Sequence, residues 1–225
     1  LLFFKMSKFG TKAIHAGTEP DSATGAIMTP IYQTSTYVQK APGEHKGYEY
    51  SRTLNPTRHA LEKNLAALEN GNYGLTFSSG LAAMDALLKI FKPGDEIISS
   101  NDLYGGSYRL FTKVFTDLGL KFHFVEMDDI TKVESLINLN TKMIWIETPT
   151  NPMMNIIDIK GVSNLAKKYN ILSAVDNTFS SPYLQNPLDL GADVVVHSIT
   201  KFIAGHSDVV MGAIVLNDTS LADKL

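Results

Sequence analysis

The distribution of apolar and polar positions changes character partway along the chain. Over the first fifty residues no period is sustained: Gly17, Pro20, Gly25, Pro30, Pro42, Gly43 and Gly47 punctuate short apolar pieces such as Ile31-Tyr32 and Thr36-Tyr37-Val38. Such punctuation interrupts helices and strands alike, and it predicts an extended arm over residues 1–54 that lies on a surface rather than building a core. At Asn55 the pattern becomes helical. Asn55-Pro56 offers an N-cap and a first-turn proline, and Leu61, Leu65 and Leu68 recur at i, i+4 and i+7 before Gly71. These are helix start, face and stop signals, and they predict a helix opening a domain over residues 55–225. Beyond it, seven short β-branched or aromatic runs follow: Gly74 to Phe77, Glu96 to Ser100, Phe122 to Val125, Met143 to Ile146, Ile171 to Val175, Asp193 to Val196 and Val209 to Val215. Helical stretches lie between them at Leu81 to Phe91, Ser107 to Leu118, Thr131 to Ile137 and Ile159 to Tyr169. Near-continuous apolar strands separated by helices are the pattern of a sheet covered on both faces. The expected class is α/β, with a mainly parallel seven-stranded sheet. Thr219 to Leu225 resembles the opening of a further helix, at which the chain breaks off.

Composition narrows the function classes. The 225 residues are 44% hydrophobic and 19% charged, which is ordinary for a globular chain able to bury one sizeable core. There is no Cys, so disulfide frameworks, thiolate metal sites and cysteine nucleophiles are excluded and cytosol is the default compartment. The formal net charge is -3 with Lys and Arg scattered, which gives no basic field for a nucleic-acid backbone. Leu1-Leu2-Phe3-Phe4 is too short for a signal-peptide core, and no apolar run is long enough to span a membrane. Leu1 to Lys5 reads as an upstream extension before Met6. The six His show no ligand spacing, and no metal is expected.

In an open parallel sheet, ligands bind beyond the carboxyl ends of the strands. Those positions are Ser78-Ser79-Gly80, Asn101 to Tyr104, Glu147-Thr148, Asp176-Asn177 and His197-Ser198 to Lys201, all polar. Phe77-Ser78-Ser79-Gly80-Leu81 is a strand, a turn of small residues and a helix start, whose free N–H groups suit a phosphate. It also suits a plain capping turn. No G-x-G-x-x-G or Walker lysine follows this strand, which disfavours a dinucleotide-binding dehydrogenase and a P-loop enzyme. Asp176 and Lys201 close successive strands, so they fall on neighbouring strand ends, where they could form a salt bridge. Alternatively they could serve a cofactor that needs an acid at one end and an amine at the other. Pyridoxal phosphate is such a molecule, with a ring nitrogen for Asp and an aldehyde for Lys.

Longer stretches then carry a resemblance. Tyr50-Ser51-Arg52, Asn55-Pro56-Thr57, Ser79-Gly80-Leu81, Leu103-Tyr104-Gly105-Gly106, Trp145 to Pro152, Val175 to Phe179, His197 to Lys201 and Gly205 to Val210 resemble the Cys/Met-metabolism pyridoxal-phosphate enzymes, and within them the lyases and synthases that handle cystathionine at its γ-carbon. The likeness runs from about Phe9 to the last residue. It implies a fold-type I pyridoxal-phosphate transferase large domain after an N-terminal arm, with a smaller C-terminal domain apparently missing. The chain is then expected to be a fragment of a longer enzyme whose remaining part supplies an arginine for the substrate carboxylate.

The resemblance also implies roles. Lys201 would join the cofactor aldehyde and later move protons, and Asp176 would pair with the ring nitrogen. Ser79, Gly80 and Leu81, with the Ser198 and Thr200 hydroxyls, would hold the phosphate. Tyr104 would stack on the ring, carry protons and touch substrate. Glu147 and Asn151 would be cofactor-side contacts, and Arg109 a substrate contact. Tyr50 and Arg52 would reach a neighbouring subunit's phosphate, Arg52 also its substrate. Self-association as a dimer sharing sites, with dimers joined into a tetramer in the cytoplasm and no nucleic-acid or membrane partner, completes what the resemblance implies. The implied reaction is γ-elimination of cystathionine to cysteine, 2-oxobutanoate and ammonia, ahead of γ-replacement as in cystathionine γ-synthase or O-acyl-homoserine sulfhydrylase, and of methionine γ-lyase chemistry. Methionine γ-lyases often carry Cys where Gly106 stands here. A rival of another class is a non-catalytic assembly module that keeps the sheet without turnover.

Overall fold

The computed structural model describes residues 8–225, so the expected extension Leu1 to Lys5 lies outside the described residues. The chain forms two compact units, Leu1–Leu68 and Glu69–Leu225.

The first unit holds helices α1 (Phe9–His15) and α2 (Pro56–Leu68) joined by an irregular segment. The Asn55 side chain caps α2 as its sequence predicts, with Oδ1 accepting from the Thr57 N–H at 2.9 Å. The expectation of an arm extended throughout is corrected at α1. This short helix has no sustained apolar period of its own. A tertiary partner completes it: Asn64 Nδ2 donates to the carbonyls of Ala13 at 3.3 Å and Ala16 at 2.8 Å, satisfying oxygens that a helix end otherwise leaves open. Between the helices the pairing is confined to isolated bridges, Thr36 with Tyr50 and Ala41 with Glu44.

The second unit is a seven-stranded sheet. Its strands are β1 (Tyr73–Phe77), β2 (Glu96–Ser100), β3 (Lys121–Val125), β4 (Thr141–Glu147), β5 (Leu172–Asp176), β6 (Val194–Ser198) and β7 (Gly212–Leu216). The order across the sheet is β1-β7-β6-β5-β4-β2-β3. The pairs among β2, β3, β4, β5 and β6 are parallel, while β7 runs antiparallel to both β1 and β6. The connecting helices are α3 (Gly80–Leu88), α4 (Gly105–Leu110), α5 (Ile130–Ser135), α6 (Ile159–Lys168), α7 (Ser181–Leu184) and α8 (Thr219–Ala222).

Because alternate residues of a strand face opposite sides, a strand covered on both faces must be apolar throughout. On β4, Met143 and Trp145 join the core under α3 and α4, and Ile144 and Ile146 join the core under α6. Edge strands β1 and β3 are only partly buried, while β2 and β7 are fully buried.

Three boundaries differ from the sequence pattern. The helix expected over Ser107 to Leu118 is α4 followed by a π-helical turn, Phe111–Phe115, in which the Thr116 N–H donates to the Phe111 carbonyl at 3.0 Å. The wider turn accompanies the seating of Phe111, stacked on Phe122 at 4.8 Å and edge-on to Trp145 at 5.8 Å. The run expected from Val209 enters the sheet only at Gly212, since Met211 is held by Thr200. The single turn α7 has no periodic signal and was not expected.

Glu96 at the start of β2 accepts from Asn138 Nδ2 at 2.8 Å and sits 2.7 Å from His123 Nε2. The Asn138 bond first, then His123, pulls its carboxyl down from 4.5 to about 2. A carboxyl depressed in the folded state stabilises above its unfolded pKa and loses that contribution as pH falls toward the folded value. Glu96→Gln is therefore expected to be less stable than the parent chain at pH 7, with the gap closing between pH 4.5 and 2. Urea midpoints across that range check it; a gap independent of pH refutes the assignment.

Candidate functional site

The parallel strands direct their carboxyl ends to one edge of the sheet, and a cavity of about 270 Å³ opens there. Each wall is a strand exit. Beyond β1, Ser79 is the N-cap of α3, its Oγ accepting from the Ala82 N–H at 3.0 Å. The cap leaves the amides of Gly80 and Leu81 at the cavity, where the positive end of a nine-residue helix favours an anion. Gly80 is required by close approach: a Cβ there would lie 2.8 Å from Ser198 Cβ. The absent side chain lets the helix start and the end of β6 form one surface.

At the exits of β4 and β5, Glu147 and Asp176 are register partners and both are buried. Glu147 is clasped by backbone: its oxygens accept from the Tyr104 N–H at 3.0 and 2.8 Å and from the Asn151 N–H at 2.9 Å. Burial raises its pKa, and the neighbouring Asp176 charge raises it further, against the pull of those amides. Asp176 is raised by burial too, opposed by its hydrogen bonds with Thr178. The Thr178 N–H donates to Asp176 Oδ1 at 3.0 Å, and no salt bridge among the described residues includes Asp176. A buried carboxylate without a cation is an unfavourable arrangement unless a ligand completes it.

Beyond β6, Ser198, Thr200 and Lys201 line the cavity. The Thr200 hydroxyl donates to the Met211 carbonyl at 3.2 Å and accepts its N–H at 3.0 Å, which ties the Lys201 turn to the approach of β7. Tyr104 is half-exposed at the rim. A Cβ at Gly106 would come 2.3 Å from Tyr104 Cε1, so the ring occupies the space a side chain at 106 would take.

The structure thus brings Ser79, Gly80, Leu81, Tyr104, Glu147, Asn151, Asp176, Ser198, Thr200 and Lys201 to one cavity. Arg109 is exposed on α4 and is not among its lining residues. Tyr50 and Arg52 line a hollow in the first unit with Tyr32 and Gln33, and the Arg52 guanidinium lies 5.1 Å from the Tyr50 ring centre. Residues to which the sequence reading gave no site role also line the cavity: Met84, Pro149, Thr178, Phe179 and Val210. Thr178 carried a usable signal, since it follows a strand end by two positions and accepts the Ser198 N–H at 2.9 Å through its hydroxyl. Met84 sits inside a helix and carried none. Among the described residues no group of three or more His, Asp or Glu could hold a metal, and no helix is long and apolar enough to cross a membrane.

Residues 10–225 match the family of Cys/Met metabolism PLP-dependent enzymes. A probable cystathionine gamma-synthase of Herpetosiphon aurantiacus is 53% identical over 217 residues, covering 96% of this chain and 68% of that protein. A cystathionine beta-lyase of Coxiella burnetii is 49% identical, covering 98% of this chain and 58% of that protein. Among solved structures, cystathionine gamma-lyase from Lactobacillus plantarum complexed with L-serine superposes with a TM-score of 0.94 at 46% identity, over 97% of this chain and 57% of that one. The chain therefore spans under three-fifths of two of these three proteins.

Two substitutions test the cavity's construction. Gly80→Ala forces the start of α3 away from Ser198, and an overpacked contact of this kind costs about 1–3 kcal/mol; a urea-unfolding midpoint equal to the parent's rules the close approach out. Asp176→Asn removes a buried carboxylate whose raised pKa makes its ionised form a liability at neutral pH. Without ligand, its thermal midpoint at pH 7.5 should rise by about 2–4 °C for each kcal/mol recovered. The gain should shrink as the pH falls and Asp176 protonates; a midpoint below the parent's at pH 7.5 refutes this.

Proposed function

The chain belongs to the Cys/Met metabolism PLP-dependent enzymes, and from that premise we propose that it carries the cofactor-binding domain of an enzyme that cleaves cystathionine by γ-elimination. The observation that carries this reading is the pairing of buried, cation-free Asp176 with Lys201 on one cavity at the ends of adjacent strands. When bound, pyridoxal phosphate supplies an electron sink that makes the carbons next to an amino group acidic.

The residues present fit that group. Asp176 supplies a carboxylate for the ring nitrogen and holds its proton, which relieves the uncompensated buried charge. The Gly80 and Leu81 amides and the Ser198 hydroxyl offer donors to the phosphate. The Thr200 hydroxyl can join them by releasing the Met211 carbonyl. Lys201 would hold the aldehyde end, and its amine, when free, would be the base that takes the α proton and then a β proton. Loss of the γ-sulfur substituent as cysteine requires both removals, so a mobile amine is needed at the carbon chain. Tyr104 would cover the ring as the second proton carrier, and Asn151 would contact the ring hydroxyl. Glu147 acts through backbone, holding the Tyr104 and Asn151 amides together on one carboxylate.

Arg109 is assigned a substrate contact, and Tyr50 and Arg52 the phosphate of a second copy, where arginine's planar fork suits a phosphate. This makes the working form a dimer that shares its sites, assembled as a tetramer in the cytoplasm. A second reading, γ-replacement joining an activated homoserine to cysteine, is favoured by the 53% identity to the probable gamma-synthase.

Absorption spectra test the proposal. The parent chain with added pyridoxal phosphate should turn yellow and keep the colour through gel filtration, while Lys201→Ala should lose it. A colourless parent refutes the reading. If the colour is present, 2-oxobutanoate release from cystathionine alone supports elimination. Consumption of O-acyl-homoserine only when cysteine is added supports replacement.

A further inference from the structure

Behind the cavity, on the opposite face of the sheet, lies a buried polar network that the chemistry above does not use. Its centre is Glu69, 1% exposed. Glu69 Oε1 accepts from Asn177 Nδ2 at 2.7 Å and lies 2.6 Å from His197 Nε2, and Oε2 accepts from Asn186 Nδ2 at 3.3 Å. Asn177 is held again by Gln185: its Oδ1 accepts from Gln185 Nε2 at 2.8 Å, and its Nδ2 donates to the Gln185 carbonyl at 2.9 Å. Gln185 Nε2 also donates to the Thr148 carbonyl at 3.1 Å.

The placement of these groups follows the strand pleat. Thr148, Asn177 and His197 are the chain neighbours of Glu147, Asp176 and Ser198, and adjacent residues at a strand end turn to opposite faces. One connected set of hydrogen bonds therefore reaches the backs of three strand ends whose fronts form the cavity. His197 makes the dependence on Glu69 sharpest, because its Nδ1 is buried with no hydrogen-bond partner among the described residues. Its ring is oriented through Nε2.

A plain packing role would need none of this. Sinking a carboxylate and an imidazole costs solvation that an apolar set of the same volume would avoid. What a directional network adds is a fixed relative position for the elements it joins. Resting on the pyridoxal-phosphate reading, we propose that Glu69 is a positioning residue for the cofactor site, acting through His197 and Asn177 to hold the ends of β4, β5 and β6 in register for the ring and phosphate contacts.

The test compares cofactor binding by the full chain and three variants, each measured well below its own thermal midpoint. Readouts are pyridoxal-phosphate affinity by absorbance titration and the visible circular dichroism per bound cofactor, which reports how the ring is oriented. Glu69→Ala should weaken affinity by about 10- to 100-fold, the range found for outer-shell partners of metal ligands, and reduce the dichroism. Glu69→Gln keeps an acceptor for Asn177 and His197 and should restore most of both signals. Ile144→Val, fully buried among the apolar residues of the same face, loosens that core without touching the network and should leave both unchanged. Glu69→Ala that binds as tightly as the parent with the same dichroism overturns the positioning role. So does Ile144→Val matching its losses, which would make them a general effect of destabilisation. A parent chain that binds no cofactor overturns the pyridoxal-phosphate reading and this proposal together, whereas a binding parent with an indifferent Glu69→Ala overturns the positioning role alone.

Discussion

The constraint on which this structure turns is the buried carboxylate of Asp176 at the end of β5. A carboxylate loses most of its hydration there, and its neighbour in register is a second buried acid, Glu147. Both are pushed toward the protonated form, by burial before anything else. Such a pair is sustainable only where the surrounding fold is over-determined. The sheet provides this, because β4 and β5 are buried on both faces and their apolar residues are divided between two cores. The stability of the layers supports an arrangement at the strand ends that no isolated segment could hold.

The same sheet explains why one edge carries the chemistry. Parallel pairing among β2, β3, β4, β5 and β6 puts the exits of five strands on one side, and antiparallel β7 brings the chain back beside β1 and β6. Glycine at 80 then allows a helix start to approach β6, and glycine at 106 leaves room for the Tyr104 ring. The backbone amides of Tyr104 and Asn151 converge on Glu147 from two different loops. A single acid thus fixes the rim, while the acid beside it is left for a ligand. Two carboxylates paired in register across a ladder thus differ in task through their hydrogen-bond partners.

Much of this was legible in the sequence because periodicity and strand ends are local. Two-faced strands must be apolar throughout, so β2, β4, β5 and β6 were visible within a residue or two at their ends, and the polar residue after each run marked the cavity. What escaped is non-local. Helix α1 depends on Asn64, distant in sequence, for its final carbonyls. The π-helical turn at Phe111–Phe115 accompanies an aromatic contact with Trp145 on another element. The late entry into β7 follows from the grip of Thr200 on Met211. Glu69 was passed over because nothing near it in sequence announces a buried acid; its partners Asn177 and His197 lie over a hundred residues further on. Arg109, given a role by resemblance alone, is exposed on α4 and is not among the residues lining the cavity.

Taken with the buried acids, the network centred on Glu69 gives the strand ends two sides with opposite properties. At the back the Glu69 carboxylate accepts from its neighbours and Asn177 is bonded on both its amide atoms, with His197 Nδ1 left unbonded among the described residues. The front is frustrated, with Asp176 ionised only against the cost of burial. A ligand bringing a proton on a ring nitrogen would remove that cost, and whatever binds the folded form alone stabilises it by mass action. Folding and cofactor binding are then coupled through one carboxylate. In the role proposed for Glu69, the back would set where that carboxylate waits, and the cost of burial at the front would set what it accepts.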